Sequence, residues 1–302
     1  REAAEIAVGL GADPRLMPPV GLNEDSAILP VPETGEMVQS IDVISEIITD
    51  PFQLGQIAAV HAMSDIYAAN AVPVWAMAAV TLGSARVDLQ QSQLAQLMAG
   101  GLVALSEAGA QLVGGHTGES EALGIGYAVT GWREGPPNIP SAGDDPVLVL
   151  TKPLGTGVVM AGHMKLAARG AWVTAAADMM ARGNGLAAAT LAPHRPVMTD
   201  VTGFGLARHA MNLAERCGMQ GIEIDLAALP LLDGARALLE AGYRSTLHPQ
   251  NRAAVRIAGA NPVAPVADIL FDPQTSGGLL AALPGAVAPG IIEAFNQSGQ
   301  PA

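Results

Sequence analysis

A single cysteine, Cys217, is all the thiol chemistry this chain has, so no intrachain disulfide can form. Aromatic residues are equally scarce at 3%, so the core must be built from Ala, Val, Leu, Ile and Met. Charged residues make up 14%, well under the usual share of about 25%. With half of the chain hydrophobic, that leaves little spare surface charge and fits extensive burial. No run of about 18 apolar residues could cross a bilayer, and no charged-then-apolar signal segment opens the chain. A cytoplasmic protein is therefore expected. The charge that is present is mostly negative, with a net value of −13. Such a chain repels nucleic acid and anionic membrane surfaces, and it repels a triphosphate too unless cations intervene. A phosphate-bearing substrate would need metal ions as the bridge.

Strands and helices alternate along the chain, which places it in the α/β class, with α+β layers as the detailed form. Met37 to Val43 reads as a buried strand. Phe52 to Ala71 reads as a helix, with Leu54, Ile57, Ala58, Ala62 and Ile66 on one face. Val74 to Leu82 reads as a strand, Leu89 to Ala108 as a helix, and Gln111 to Val113 and Leu123 to Thr130 as strands. Arg133 to Asp145 is the densest cluster of chain breakers. It sets the expected boundary between a first domain, 1–138, and a second, 139–302. Beyond it follow a strand at Pro146 to Thr151 and helices at Gly157–Ala168 and Trp172–Ala189. The second helix is open to interruption at Gly183-Asn-Gly185. A strand at Pro196 to Met198, a helix at Leu206–Cys217 and a strand at Gly221–Asp225 complete the reading.

The familiar phosphate motifs are missing. There is no G-x-x-x-x-G-K-[ST], and Gly155-Thr-Gly157 imitates a dinucleotide fingerprint only in part; a tight strand-to-helix turn explains it. What stands out is carboxylates in apolar settings: Asp25 before Ala27-Ile-Leu29, Asp42 in a strand, Asp65 in a helix, and Asp200 in Met-Thr-Asp200-Val. An ionised carboxylate there is costly unless paired or bound to a cation. Each alone is open to a capped turn or a buried pair, but four together favour cation binding. Magnesium takes one or two carboxylates per ion plus phosphates and water. Gly114-Gly115-His116-Thr117 offers backbone amides and side-chain donors to an anion, or is an ordinary glycine-rich hairpin. Asp272-Pro-Gln-Thr-Ser-Gly-Gly278 by itself signals a turn.

In chain order, these segments resemble selenophosphate synthetase (selenide, water dikinase). The matching blocks are Asn23-Glu24-Asp25-Ser-Ala-Ile; Asp50-Pro-Phe-x-x-Gly-x-Ile-Ala-Ala; His61-Ala-Met-Ser-Asp65-Ile-Tyr-Ala; Gly-Gly-His116-Thr; Leu-Thr-Lys152-Pro-Leu-Gly-Thr-Gly; Thr-Asp200-Val-Thr-Gly-Phe-Gly-Leu; and Asp272-Pro-Gln-Thr-Ser-Gly-Gly-Leu-Leu. Ser245-Thr-Leu-His-Pro-x-Asn251 looks like the form fused to an NADH dehydrogenase-like flavoprotein. The resemblance implies the two-domain fold shared with aminoimidazole ribonucleotide synthetase. In it the N-terminal domains of a homodimer pair into a β-barrel with ATP sites near the interface, and the C-terminal domain is an α/β sandwich. It also implies a reaction: ATP, selenide and water give selenophosphate, AMP and phosphate. Asp25, Asp65 and Asp200 then look like magnesium ligands. Asn23, Glu24, Asp42, Asp65, Gly115, His116 and Thr117 look like nucleotide contacts.

One family element has no counterpart in this stretch of chain. Relatives carry a mobile glycine-rich segment near the N-terminus with a reactive Cys or selenocysteine and a Lys. Nothing before Asp25 matches it, and the first lysine is Lys152. The start at Arg1 is read as placing that segment upstream, and one more strand is expected after Ala302. Cys217, in a helix with no basic arrangement around it, reads as a packed thiol rather than a selenium carrier. The alternatives are a sibling enzyme, thiamine-phosphate kinase or aminoimidazole ribonucleotide synthetase, and a catalytically incomplete ATP-binding homologue.

Overall fold

A computed structural model of the chain describes residues 2–17, 29–135, 142–143, 145–256 and 265–298. Asn23, Glu24 and Asp25 lie outside these. The chain divides into two units, Arg1–Pro137 with Ala181–Gly185, and Asn138–Met180 with Leu186–Ala302.

The first unit contains α1 (Glu2–Gly9), β1 (Glu36–Ser45), α2 (Pro51–Ala68), β2 (Val72–Leu82), α3 (Val87–Glu107), β3 (Gln111–Glu119) and β4 (Gly124–Arg133). Its strands form one open sheet in the order β1-β4-β2-β3, antiparallel except for the parallel pair β2 and β3. Helix α2 begins where the sequence demands it. Asp50 accepts a hydrogen bond from the Gln53 amide at 3.0 Å, and Pro51 takes the first helical position, where no amide donor is needed. At its other end, Arg133 of β4 donates to the Ala69 carbonyl at 3.1 Å and pairs with Glu36 of β1. The scarcity of aromatics sets how the helices pack. A Cβ on Gly55 of α2 would strike the carbonyl of Leu97, and one on Gly100 of α3 would strike that of Phe52. Backbone meets backbone at these points, and alanines fill the layer around them.

β1 departs from the expectation of a buried strand. It is a sheet edge with regularly alternating exposure, and Met37, Ile41 and Val43 are 55%, 64% and 62% exposed. Both faces of the strand carry apolar residues, but α2 covers only one. By register, the uncovered face continues through Met77 and Val72 of β2, which are also exposed.

The second unit contains β5 (Pro146–Leu150), α4 (Thr156–Met164), α5 (Gly170–Ala181), α6 (Gly185–Leu191), β6 (Val197–Asp200), α7 (Gly205–Arg216), α8 (Ala235–Glu240), α9 (His248–Ala253), β7 (Leu279–Pro284) and α10 (Ala288–Gln297). The helix read over Trp172–Ala189 is interrupted where Gly183-Asn-Gly185 allowed it, giving α5 and α6. Its sheet is antiparallel in the order β5-β7-β6. The central strand β7 is Leu-Leu-Ala-Ala-Leu-Pro, buried on both faces, so it shows no alternation to read. Gly221–Asp225, expected as a strand, joins no ladder among the described residues. It runs with alternating half-burial, and the Asp225 carboxylate turns the chain by accepting the Ala227 amide at 2.9 Å.

Candidate functional site

In the first unit the register decides which candidate residues share a face. Asp42 of β1 lies in one row with Tyr127, Ala78 and Gly115, and the next row toward the strand end holds Ile44, Ile125, Val80 and Thr117. These rows face α2. His116 stands in the row of Val43, Gly126 and Ala79, on the opposite face. The sheet therefore brings Asp42, Gly115 and Thr117 onto one face and puts the His116 side chain on the other. Gly115 is also required by the sheet itself, because a Cβ there would collide with the backbone of Ala78.

Asp65 comes down to this face from α2. Ser40, two residues before Asp42 and therefore on the same side of β1, donates from Oγ to Asp65 Oδ2 at 2.5 Å. His61 sits one helical turn before Asp65. The Asp42 carboxyl is pushed above its ordinary range, first by burial and then by the negative charge of Asp65, while His61 pulls it back down. Two carboxylates and an imidazole thus act on one another across the gap between β1 and α2. The Asp65 carboxylate makes the charge on Asp42 more costly, and a cation between them would relieve it. Ser40 and His61 were not among the candidates read from the sequence. Period-2 spacing from Asp42 and i, i+4 spacing from Asp65 would have found them.

The remaining aspartate, Asp200, ends β6 in the second unit and is 4% exposed. The loop after it is held from three sides. The Thr202 amide donates to His209 Nε2 at 3.1 Å, the Gln274 amide to the Thr202 carbonyl at 3.0 Å, and Asn251 Nδ2 to the Gly203 carbonyl at 2.9 Å. Asn251 also donates to the Phe271 carbonyl at 3.0 Å. It thereby joins two blocks that the sequence presents separately, Thr-Asp200-Val-Thr-Gly-Phe-Gly and Asp272-Pro-Gln-Thr-Ser-Gly-Gly. Among the described residues, no group of three or more His, Cys, Asp or Glu side chains is arranged to hold a metal.

The Asp272 block does more than turn the chain. Gln274 Oε1 accepts the Gly155 amide at 2.9 Å and the Thr156 amide at 3.1 Å, and Asp272 Oδ2 accepts the Val158 amide at 3.1 Å. The free amides of the α4 N-terminus, where a dinucleotide phosphate would sit, are occupied by the protein's own side chains. Lys152 is 3% exposed and donates to the Ser276 carbonyl at 2.9 Å, a structural use of the first lysine. Burial pushes the Cys217 thiol up, with Arg216 opposing, so the thiol stays protonated and poorly nucleophilic.

Comparison with known proteins extends beyond these local features. The family model for AIR synthase related protein, N-terminal domain, matches residues 23–132. A selenide, water dikinase of Geobacter metallireducens is 38% identical over 292 residues, covering 93% of this chain and 83% of the relative. One from Nitratidesulfovibrio vulgaris is 37% identical over 316 residues, covering 98% and 87%. The chain belongs to the selenide, water dikinase family. Among solved structures, thiamine-monophosphate kinase from Stenotrophomonas maltophilia superimposes with a TM-score of 0.72 at 15% identity, covering 93% of this chain and 85% of that one. At that identity the likeness speaks for the fold alone. It agrees with the mixed α/β architecture of this selenide, water dikinase family member.

The clamp on α4 carries a pH dependence. Burial raises Asp272 from an ordinary 3.8 to about 7, against the pull of the Val158 amide, Gln274 and the Gly157 amide. A carboxyl whose folded value is raised binds its proton more tightly in the folded chain. Its contribution is full below pH 3.8, declines as pH rises, and is gone above about 7. The expected loss across that window is of order 4 kcal/mol. Asp272→Asn should flatten it, and urea unfolding of both proteins between pH 4.5 and 8 checks this.

Proposed function

We propose that this chain forms selenophosphate, AMP and phosphate from ATP, selenide and water with magnesium. The observation that carries the reading is the near full-length identity to selenide, water dikinases, 38% over 292 residues. The first unit supports it with a negative, half-buried face, Asp42 and Asp65, that suits a cation-bridged triphosphate. Asp25, Asp65 and Asp200 would each offer a carboxylate to magnesium, and Asp42, Gly115 and Thr117, with Asn23 and Glu24, would contact the nucleotide; His116, whose side chain stands on the other face of the sheet, is left out of this set. Bound magnesium would neutralise the triphosphate and the charge that develops during phosphoryl transfer. The chain's own part begins with Ser40. Its hydroxyl fixes one Asp65 oxygen and leaves the other for a ligand. Asp42 and His61 set the local charge against which the phosphates are oriented. The group that handles selenium is assigned to no residue here.

The uncovered sheet face is read as the dimer surface, where a second copy completes a barrel. Met37, Ile41, Val43, Val72 and Met77 make it a contiguous apolar patch of the kind that a monomer rarely leaves to water. The proposed setting is the cytoplasm, and no helix among the described residues is long and apolar enough to cross a membrane.

In the native full-length chain, ATP should be converted to AMP only when selenide is present. Turnover that stops at ADP, or that ignores selenide, overturns the assignment. Asp65→Asn should weaken magnesium-dependent nucleotide binding by at least about tenfold, the worth of one charge-assisted contact, while leaving the apolar face of α2 and thermal stability intact. Calorimetry with Mg–ATP measures it, and unchanged affinity removes Asp65 from the ligand set. Ile41→Glu, which places a charge in the middle of the apolar patch, should turn a dimer into a monomer in sedimentation velocity.

A further inference from the structure

Ser64 is fully buried in α2, next in sequence to Asp65, and its hydroxyl accepts a hydrogen bond from Asn184 Nδ2 at 2.9 Å. Asn184 is 120 positions away and 1% exposed. It belongs to Ala181–Gly185, the short stretch between α5 and α6 that packs with the first unit. The next residue, Gly185, fits closely: a Cβ there would stand 3.0 Å from Tyr67 Oη. Burial holds the Tyr67 phenol up to about 12, so it meets the segment as a neutral group. One turn of α2, from Ser64 to Tyr67, is thus gripped by a segment from far along the chain.

Consecutive helical residues point about 100° apart around the axis. The grip on Ser64 therefore sets the direction in which Asp65 leaves the helix toward Ser40. A rotation of about 10° would carry a carboxylate that is about 6 Å from the axis through about 1 Å. Displacements of that size matter at a site that orients phosphates. Ser40 restrains Asp65 at its tip, and Asn184 restrains the backbone from which it extends.

We propose that Asn184 is a positioning residue for Asp65, acting through Ser64 to fix the rotation of α2. The inference rests on the reading of Asp65 as a magnesium ligand. It makes Asn184 matter to metal-dependent nucleotide binding although it touches neither metal nor nucleotide.

The experiment uses the full chain with Asn184→Ala, Ser64→Ala, the double variant and Asp65→Asn. ATP affinity is measured by calorimetry with magnesium and with EDTA, alongside thermal unfolding. Asn184→Ala and Ser64→Ala should each weaken the magnesium-dependent affinity roughly tenfold, the usual cost of losing a group that orients a ligand. Metal-free affinity should stay the same, and the double variant should be no worse than either single one. A fall in melting temperature with unchanged magnesium dependence overturns the proposal, as does an equal loss of affinity in EDTA. Should Asn184→Ala not fold, Ser64→Ala decides alone by the same criteria. If Asp65→Asn is itself silent, the ligand reading of Asp65 fails. If Asp65→Asn acts and Asn184→Ala does not, the positioning role fails.

Discussion

Gly55 and Gly100 bring the backbones of α2 and α3 together where any Cβ would strike the carbonyls of Leu97 and Phe52. In a chain with so few aromatics, this approach replaces the wedge of large rings that usually sets helix spacing. It fixes α2 against the sheet, and the polar geometry of the first unit follows. Asp50 starts the helix, Arg133 closes its end, and between them Asp65 reaches Ser40 while His61 comes within electrostatic reach of Asp42. A Cβ at either glycine would push α2 away and move all of these groups together.

The second unit meets its own constraint differently. Its sheet is short, with one strand buried on both faces, and the polar loops around it hold one another. Asn251 bridges Gly203 and Phe271, and Gln274 and Asp272 cap the start of α4. Buried polar groups of this kind carry a cost unless every one is matched. Here the matching comes from residues 20 to 119 positions apart, from the bond between Asn251 and Phe271 to that between Gly155 and Gln274. The same closure answers the imitation of a dinucleotide motif at Gly155-Thr-Gly157, whose amides are already taken.

Much of the fold was legible in the residues. The cap at Asp50-Pro51 and the apolar spacing after it foretold α2, and the breakers from Arg133 to Asp145 fall between β4 and β5. Strand β7 was missed because an unbroken Leu-Ala run has no period, and Gly221–Asp225 was misread because alternation marks an extended chain whether or not it finds a partner. Among the candidate residues, Asp42, Asp65 and Asp200 stood out as charges in apolar surroundings. Ser40, His61, Asn184 and Asn251 did not, since a serine, histidine or asparagine becomes informative only when its partner is known.

The order of glycine, aspartate and proline blocks was enough, by itself, to establish the family and to single out the carboxylates, because those signals are local. Only the tertiary structure decided that His116 points away from Asp42, that the Asp272 block caps α4 and that Asn184 reaches Ser64. Sheet register and contacts across more than a hundred residues set these relations, and no local spacing encodes them.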